Sequence, residues 1–409
     1  MNPKVMARQA RLLRMLESKE EIRIGRERDC PLPLAQLVKL KDSHPAVVKV
    51  YRHGLTAEVF HLKVEGHHWC LKRRRQDSLV ANLDGKTAFL TELERRREIE
   101  ALRELHPTVL SHVVCTSFGS ARAGVLVSPW LRGVPVHQLN ERNLAQMLEV
   151  QGELARGGWF DWDPSPGNLL DDGEQICVFD FGYMWTFDPR FEYNSNGLVD
   201  PQFHVPERLE TRTLSGLWLD EADPLPQFRY WRELCLKWVK REIHHLIREG
   251  ASAPVLARLH ALQGEWSAAL ASDEALVANW WRDMYRSHRL DVADDLSGQS
   301  CGPLTLRRLD WLMQAVTDHY PLLVDNLSPQ ETELGQLCKV QVETGLALVA
   351  LIGNRMSEVN GGGSQVFDAL REHNIRMICY GASAHNLCFL VKESEAGNIV
   401  NRLHQELLD

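Results

Sequence analysis

The chain has 409 residues, 44% hydrophobic and 25% charged, which is typical of a globular protein with room for two or three units. A net charge of −8 argues against a general nucleic-acid binder, so we expect no nucleic-acid partner. We also expect no membrane partner, because the first residues lack a signal-peptide core and the longest apolar run, residues 346–352, is far below the roughly 20 residues that span a bilayer. Nine cysteines without a Cys-x-x-Cys pair fit reduced thiols and predict a cytoplasmic protein.

The first third of the chain predicts a helical segment followed by strands. Residues 1–45 show helical spacing of apolar residues and are predicted to form a helical extension. Residues 58–64 and 68–72 predict two strands joined by a hairpin turn at Glu65-Gly66-His67. Further predicted elements are a helix over 86–105, strands at 113–118 and 124–128, and a helix over 141–156.

The remainder predicts two short strands, a helical region and a final mixed segment. The strands 168–170 and 175–179 flank Asp172-Gly173, and residues 226–324 are mainly helical and rich in tryptophan. Residues 335–409 alternate as β-α-β-β-α. The predicted fold class is therefore mixed α+β.

Five residues in a fixed order supply the parts that phosphoryl transfer needs. Lys72 ends a predicted strand and Glu98 lies in the next predicted helix. Asp163 and Asn168 follow as D-x-x-x-x-N, and Asp180 opens Asp-Phe-Gly twelve residues later. Such a set provides a cation for the nucleotide phosphates, oxygen ligands for Mg²⁺ and a carboxylate to orient an attacking hydroxyl.

In these motifs the chain resembles the protein-kinase and small-molecule phosphotransferase superfamily over about residues 46–330. The resemblance implies a bilobal fold with a small lobe at 46–131 and a large, mainly helical lobe at 132–327. It implies ATP and Mg²⁺ as cofactors. Lys72 would bind the α/β-phosphates, Glu98 would position Lys72, Asp163 would orient the substrate hydroxyl, and Asn168 and Asp180 would bind metal.

The resemblance also implies a nucleotide site between the lobes. Gly54 would belong to the phosphate-covering loop, and Cys70 would be the small residue over the adenine. Pro129 and Leu131 would form the hinge, where the Leu131 N–H would donate to adenine and Pro129 would keep only an acceptor.

Three departures from the family pattern are visible. Arg52 and Ala57 stand where the family has two further glycines in the loop. Asp161 replaces the usual histidine before the catalytic aspartate, and residues 164–167 lack the lysine of many protein kinases. In this respect the chain looks more like small-molecule phosphotransferases and atypical bacterial kinases.

Residues 328–409 resemble the C-terminal regulatory end of lysine-sensitive aspartokinase, through segments 334–343, 344–354, 374–383 and 385–391. The resemblance implies a ferredoxin-like ACT unit. The phosphate loop of the aspartokinase catalytic domain is absent from the sequence, so aspartate phosphorylation is not implied. A β-α-β-β-α unit has an exposed sheet edge, which predicts self-association through residues 335–409. Amino-acid sensing, plain dimerisation and a fragment without a ligand role remain open.

The sequence therefore predicts a Mg-ATP-dependent phosphotransferase with a hydroxyl acceptor on a protein or a small metabolite. Its partners would be ATP, that unknown acceptor, a second copy of the chain and an amino-acid effector. One alternative is a non-enzymatic, pseudokinase-type sensor of nucleotide or amino acid that acts as an interaction protein. Another is an aspartokinase-related regulatory protein.

Overall fold

The computed structural model describes residues 3–18, 21–52, 54, 56–76, 79, 82–105, 110–199, 201–298, 300–324, 345–352, 362–380 and 386–407. It divides into two compact units, Met1–Asn326 and Leu327–Asp409. The predicted start of the last domain at residue 328, and the matched segment 334–343, lie outside the described residues.

The helices are α1 (Pro3–Ser18), α2 (Leu34–Val38), α3 (Leu83–Leu105), α4 (Glu141–Arg156), α5 (Val205–Leu209), α6 (Ser215–Trp218), α7 (Leu225–Arg248), α8 (Ala253–Ala269), α9 (Asp273–Gly298), α10 (Pro303–Val324), α11 (Gly362–Ala369) and α12 (Glu393–Leu407). A π-helical turn, Glu210–Leu214, joins α5 to α6, and a 3-10 turn covers Pro166–Asn168.

The strands are β1 (Arg23–Gly25), β2 (Val47–Tyr51), β3 (Ala57–Val64), β4 (His67–Arg74), β5 (Phe118–Ser120), β6 (Val125–Pro129), β7 (Val134–Pro135), β8 (Trp159–Asp161), β9 (Leu169–Asp171), β10 (Ile176–Val178), β11 (Met184–Thr186), β12 (Leu346–Ile352), β13 (Met377–Tyr380) and β14 (Asn386–Lys392).

A six-stranded antiparallel sheet, ordered β1-β5-β6-β4-β3-β2, dominates the first part of the chain. The hairpin predicted at Glu65 is present, and Glu65 and Gly66 both have positive φ (50° and 80°), as a type I′ turn requires. The predicted helical extension over residues 1–45 contains α1 and α2, but it also contains β1, which pairs with β5 at the sheet edge. Three residues are too few to show a period, and β1 is held by the burial of Ile24.

The two faces of this sheet pack against different helices because side chains alternate along each strand. Leu71 and Val127 face a cluster that includes residues of α2. Leu126 faces the other cluster, which includes Phe89 and Leu93 of α3. Lys72 pairs in register with Leu126, so its side chain points toward α3.

The rest of the first unit is a mainly helical body around one large hydrophobic core. The core draws on α4, α5 and α7–α9, and Phe181 and Trp231 within it are fully buried. Two small sheets, β10-β9-β7 and β11-β8, lie within the same segment of the chain. They fix the loops between β8 and β9 and between β10 and β11, which carry residues 162–168 and 179–183.

The second unit has the predicted β-α-β-β-α order, with a three-stranded antiparallel sheet ordered β12-β14-β13. Its core joins Val349 and Phe389 of the sheet to Val366 of α11 and Ile399 and Leu403 of α12. Leu348, on the opposite face of β12, is 62% exposed. In the described parts of the chain, no helix has both the length and the apolar character that crossing a bilayer requires.

Candidate active site

Lys72 lies at the centre of a buried ion cluster on the α3 side of the sheet. Its ammonium donates to Glu92 Oε2 and to Asp180 Oδ2, both at 2.7 Å. Lys72 and Glu92 are only 6% and 3% exposed. The predicted pairing of a strand lysine with a glutamate of the next helix is thus present, and Asp180 of the Asp-Phe-Gly motif joins it.

The glutamate is Glu92, however, and the prediction that Glu98 positions Lys72 is wrong. Six residues of α-helix rotate a side chain by about 240°, so Glu98 cannot face the sheet when Glu92 does. Instead, Glu98 accepts hydrogen bonds from Arg95 at 2.8 Å and from Trp159 Nε1 at 2.9 Å. Sequence reasoning missed Glu92 because the helix carries Glu92, Glu94 and Glu98 within two turns, and only its packing on the sheet decides which of them meets Lys72.

Arg96, one turn after Glu92, connects α3 to the Asp-Phe-Gly motif. Its Nε donates to Glu92 Oε1 at 2.9 Å, and its guanidinium also donates to the backbone oxygen of Phe179. The guanidinium carbon lies 5.2 Å from the centroid of the Phe181 ring. Glu92 and Arg96 therefore fix the position of Lys72 relative to the segment that carries Asp180. The i,i+4 spacing of the two charges was the signal available in the sequence.

Asp163 and Asn168 meet on the loop after β8, as their spacing predicts. The Asn168 amide nitrogen donates to Asp163 Oδ2 at 3.1 Å and to the Asp163 backbone oxygen at 2.9 Å. Arg212, in the π-helical turn, donates to Asp163 Oδ1 from Nε at 3.1 Å and from Nη2 at 2.8 Å. Arg212 also pairs with Asp291 of α9. It supplies a cation next to Asp163 that the sequence lacks at 164–167.

Asp161, which stands in the usual histidine place, supports the same loop. Its Oδ1 accepts the Asp163 backbone N–H at 2.9 Å, and its Oδ2 accepts from Gln151 at 3.0 Å. Burial raises the pKa of Asp161 to about 7, and the carboxylates of Asp163 and Asp180 act in the same direction. The Asp161 carboxyl group therefore supports the loop through two hydrogen bonds.

The charges around Lys72 compensate each other. Burial disfavours the ammonium, but the carboxylates of Asp180 and Glu92 outweigh it and raise the pKa of Lys72. Burial likewise disfavours the Asp180 carboxylate, but Lys72 outweighs it and lowers the pKa of Asp180. Both groups are therefore charged at neutral pH, as phosphate and metal binding require.

The predicted nucleotide residues lie on adjoining parts of the sheet. Cys70 is in β4 opposite Ser128, and Pro129 ends β6, with Leu131 two residues later. Burial raises the pKa of the Cys70 thiol, which makes it an inert small residue. Gly54 lies between β2 and β3, and a Cβ there would come within 2.4 Å of the Ala57 backbone oxygen. The single glycine is thus required by the turn itself.

Asp180 and Asn168 carry oxygen ligands of the kind that Mg²⁺ binds. Asp180 offers a carboxylate, and Asn168 offers a carbonyl oxygen that accepts no hydrogen bond from the described residues, since its amide nitrogen makes both contacts. The described residues include no cluster of three or more His, Cys, Asp or Glu side chains that could hold a metal alone. Mg²⁺ bound by one or two protein ligands usually shares its shell with phosphates and water. The set fits an ion that binds together with a nucleotide.

The chain carries a C-terminal ACT domain. A family profile of the ACT domain matches residues 349–407. Lysine-sensitive aspartokinase 3 of Escherichia coli (strain K12) is 58% identical over 77 residues, which is 19% of this chain and 17% of the aspartokinase. The chain thus spans less than a fifth of that relative's length.

Protein-kinase-like solved structures match over much of the chain. The crystal structure of WbdD is 13% identical and covers 60% of this chain and 50% of its own, with a TM-score of 0.33. The structure of vaccinia related kinase 3 is 14% identical and covers 38% of this chain and 56% of its own, with a TM-score of 0.26.

Proposed function

We propose that the first unit is a bilobal, kinase-like domain that transfers the γ-phosphoryl group of Mg-ATP to a hydroxyl. The observation that carries the proposal is the buried Lys72 ammonium, held at 2.7 Å from both Glu92 and Asp180. In this view strands β2–β6 with α3 form the small lobe at about 46–131, and β1 of the N-terminal segment extends their sheet at its edge. The helical body at about 132–327 forms the large lobe.

Each residue has a defined role in this proposal. Lys72 binds the α/β-phosphates and Glu92 positions Lys72, while Asp180 and Asn168 hold Mg²⁺, which neutralises charge on the phosphate oxygens. Gly54 lies over the phosphates, and Cys70, Pro129 and Leu131 border the adenine.

Asp163 orients the acceptor hydroxyl and takes its proton. The hydroxyl oxygen forms a bond to the γ-phosphorus, the bond from that phosphorus to the β–γ bridging oxygen breaks, and ADP leaves with the electron pair. Arg212 orients the Asp163 carboxylate beside the reacting group, because its guanidinium donates to Oδ1 from both Nε and Nη2.

The test is turnover of γ-labelled ATP with Mg²⁺ by the wild type and Asp163→Asn. General-base loss costs roughly 10²–10⁴-fold in rate, so Asp163→Asn should fall by that factor while still binding ATP. Equal phosphate release by both proteins would reject the catalytic role of Asp163. Calorimetric titration with ATP separates this outcome from a failure to bind nucleotide.

The second candidate is a non-enzymatic sensor, favoured by the single loop glycine and by the ACT domain. ACT domains suggest an amino-acid effector, so the second unit would bind an amino acid and the first would bind nucleotide without turnover. A ligand that binds the native state raises the melting temperature. Stabilisation by lysine without stabilisation by ATP in a thermal-shift screen would support this candidate over the kinase.

We also propose that the ACT domain mediates self-association. Helices α11 and α12 cover one face of its sheet, where Val349 and Phe389 are buried. The other face presents Leu348 and Ala350 of β12 to solvent. An apolar sheet face and an open strand edge are stabilised when a second copy covers them.

A further inference from the structure

A cavity of about 340 Å³ lies beside Asp163 in the first unit. It is lined by the start of α3, the loop that carries Asp163, the end of α9, and α1 from the N-terminal segment. Trp162 and Trp185 form part of its wall. Its size is at the lower end of the range for small-molecule sites, which run from roughly 300 to 1,000 Å³.

Helix α1 contributes Arg8 to this cavity and is fixed in place by its neighbours along one face. Lys4 pairs with Glu192, and Arg11 pairs with Glu94 of α3 at 2.5 Å. Between them, Arg8 Nη1 donates to Asn196 Oδ1 at 3.1 Å, and its guanidinium lies 5.0 Å from the Trp185 ring centroid. Residues three and four apart share a helix face, so all three cations point toward the domain.

Arg8 forms no ion pair within the described part of the chain, although the charge of Asp84 acts on it from a distance. Its contacts are a neutral amide and an aromatic ring, and its Nε is buried without a hydrogen-bond partner there. Other cavity cations are paired: Arg208 with Asp294 at 3.3 Å and Arg212 with Asp163 at 2.8 Å. A buried guanidinium stays charged, so one that forms no ion pair favours an anionic ligand group.

Asp84, at the start of α3, is the complementary group in the same cavity. Its Oδ1 is buried and has no hydrogen-bond partner among the described residues. Burial raises the pKa of Asp84, and Arg8 only partly offsets this. Asp84 and Arg8 therefore present opposite charges to one cavity without forming an ion pair with each other.

We propose that this cavity binds a small zwitterionic acceptor, in which a carboxylate lies against Arg8, an ammonium lies against Asp84 and a hydroxyl reaches Asp163. A zwitterion places an opposite charge against each of the two groups, whereas an anion or a cation matches only one of them and a neutral polyol matches neither. An internal segment of a polypeptide carries no adjacent free ammonium and carboxylate, so a hydroxy-amino acid fits better than a protein. The phosphoryl-transfer part rests on the proposed function, whereas the binding part does not.

Calorimetric titration of the full chain with a charge series tests the binding. L-serine and L-homoserine carry both charges and a hydroxyl, ethanolamine only the ammonium, D-glycerate only the carboxylate, and glycerol neither. We expect the two amino acids to bind and glycerol not to bind. Arg8→Gln and Asp84→Asn should each raise the Kd for L-serine and L-homoserine roughly 10- to 100-fold, because each substitution removes a hydrogen bond to a charged group.

Arg11→Gln is the matched control, since it loses a contact of α1 with α3 but does not line the cavity. Its Kd should equal that of the wild type, and Arg8→Lys should recover part of the affinity because it keeps a cation. Equal loss in Arg8→Gln and Arg11→Gln would overturn the proposal in favour of helix docking. Binding of glycerol alone, or amino-acid binding that survives both Arg8→Gln and Asp84→Asn, would also overturn it.

ATP turnover separates this proposal from the proposed function. Binding of L-serine or L-homoserine that depends on Arg8, without turnover in the wild type, supports the cavity and rejects the kinase. Turnover with another hydroxyl acceptor and no amino-acid binding rejects the cavity proposal alone.

Discussion

Glu92→Gln tests whether Glu92, as in the structure, or Glu98, as the sequence motif predicts, positions Lys72. Glu92 is buried and contacts both Lys72 at 2.7 Å and Arg96 at 2.9 Å. Glutamine keeps the volume but removes the charge, so Lys72 keeps only Asp180 as an anionic partner. Glu98→Gln is the matched control, because the Glu98 side chain is on the same helix and 36% exposed.

The magnitudes follow from burial. Removing one partner of a buried ion pair costs about 3–5 kcal/mol, and we expect the lower end because glutamine still accepts and donates hydrogen bonds. A lysine displaced by about 1 Å reduces the rate roughly 100-fold. Glu98 is partly exposed, but its partner Arg95 is buried, so Glu98→Gln should lower the free energy of unfolding by about 1–3 kcal/mol. It should leave kcat near the wild-type value, because Glu98 does not contact Lys72.

The assay is steady-state ATP turnover with urea unfolding of the same preparations. Glu92→Gln should lower kcat far more than it changes the KM for ATP, because Lys72 is misplaced rather than absent. Glu92→Asp, which keeps the charge, should recover part of kcat, as a purely structural role would not predict. A larger loss of kcat in Glu98→Gln than in Glu92→Gln would refute the assignment of Glu92 as the residue that positions Lys72.

Two further predictions concern the loop support and the ACT domain. The pKa of Asp161 is about 7 in the folded chain and about 4 when unfolded, so the unfolded chain releases this proton first as pH rises. The free energy of unfolding should therefore fall as pH rises from 4 to 7, and Asp161→Asn should lack that part of the fall. Urea unfolding of both proteins across this range measures it, and parallel profiles of wild type and variant would contradict the prediction. A chain truncated after Asn326 should be monomeric by light scattering if the ACT domain mediates dimerisation, and an unchanged dimer would locate the interface in the first unit.

The order of motifs predicted much of the site because each motif is local. The hairpin, α4 and the β-α-β-β-α unit could be read from periodicity and turn residues. Asp163 and Asn168 are five residues apart on one loop, and the sheet register aims Lys72 toward α3, so these positions follow from short-range geometry. Asp180 joins Lys72 because the small β9–β10 hairpin returns the chain to it.

The parts that could not be predicted depend on helix phase or on distant contacts. The choice between Glu92 and Glu98 depends on which face of α3 packs on the sheet, and that face is set by the contacts of Phe89 and Leu93 with Leu126. Arg212 lies 49 residues from Asp163, and only the packing of the π-helical turn under the loop brings them together. Arg8 reaches the same region from α1, a contact that no local pattern encodes.

The surroundings of Asp163 bear on whether it can still accept a proton despite the unusual residues near it. A carboxylate has about four acceptor positions. Arg212 occupies two of them on Oδ1, and Asn168 occupies one on Oδ2. Among the described contacts, one position on Oδ2 is left for a hydroxyl donor. Asp161 accepts the backbone N–H of Asp163, which fixes the direction in which the free position on Oδ2 points. Asp161 and Arg212, which stand in for the usual histidine and lysine, thus leave Asp163 oriented and able to accept one more hydrogen bond, as a catalytic base requires.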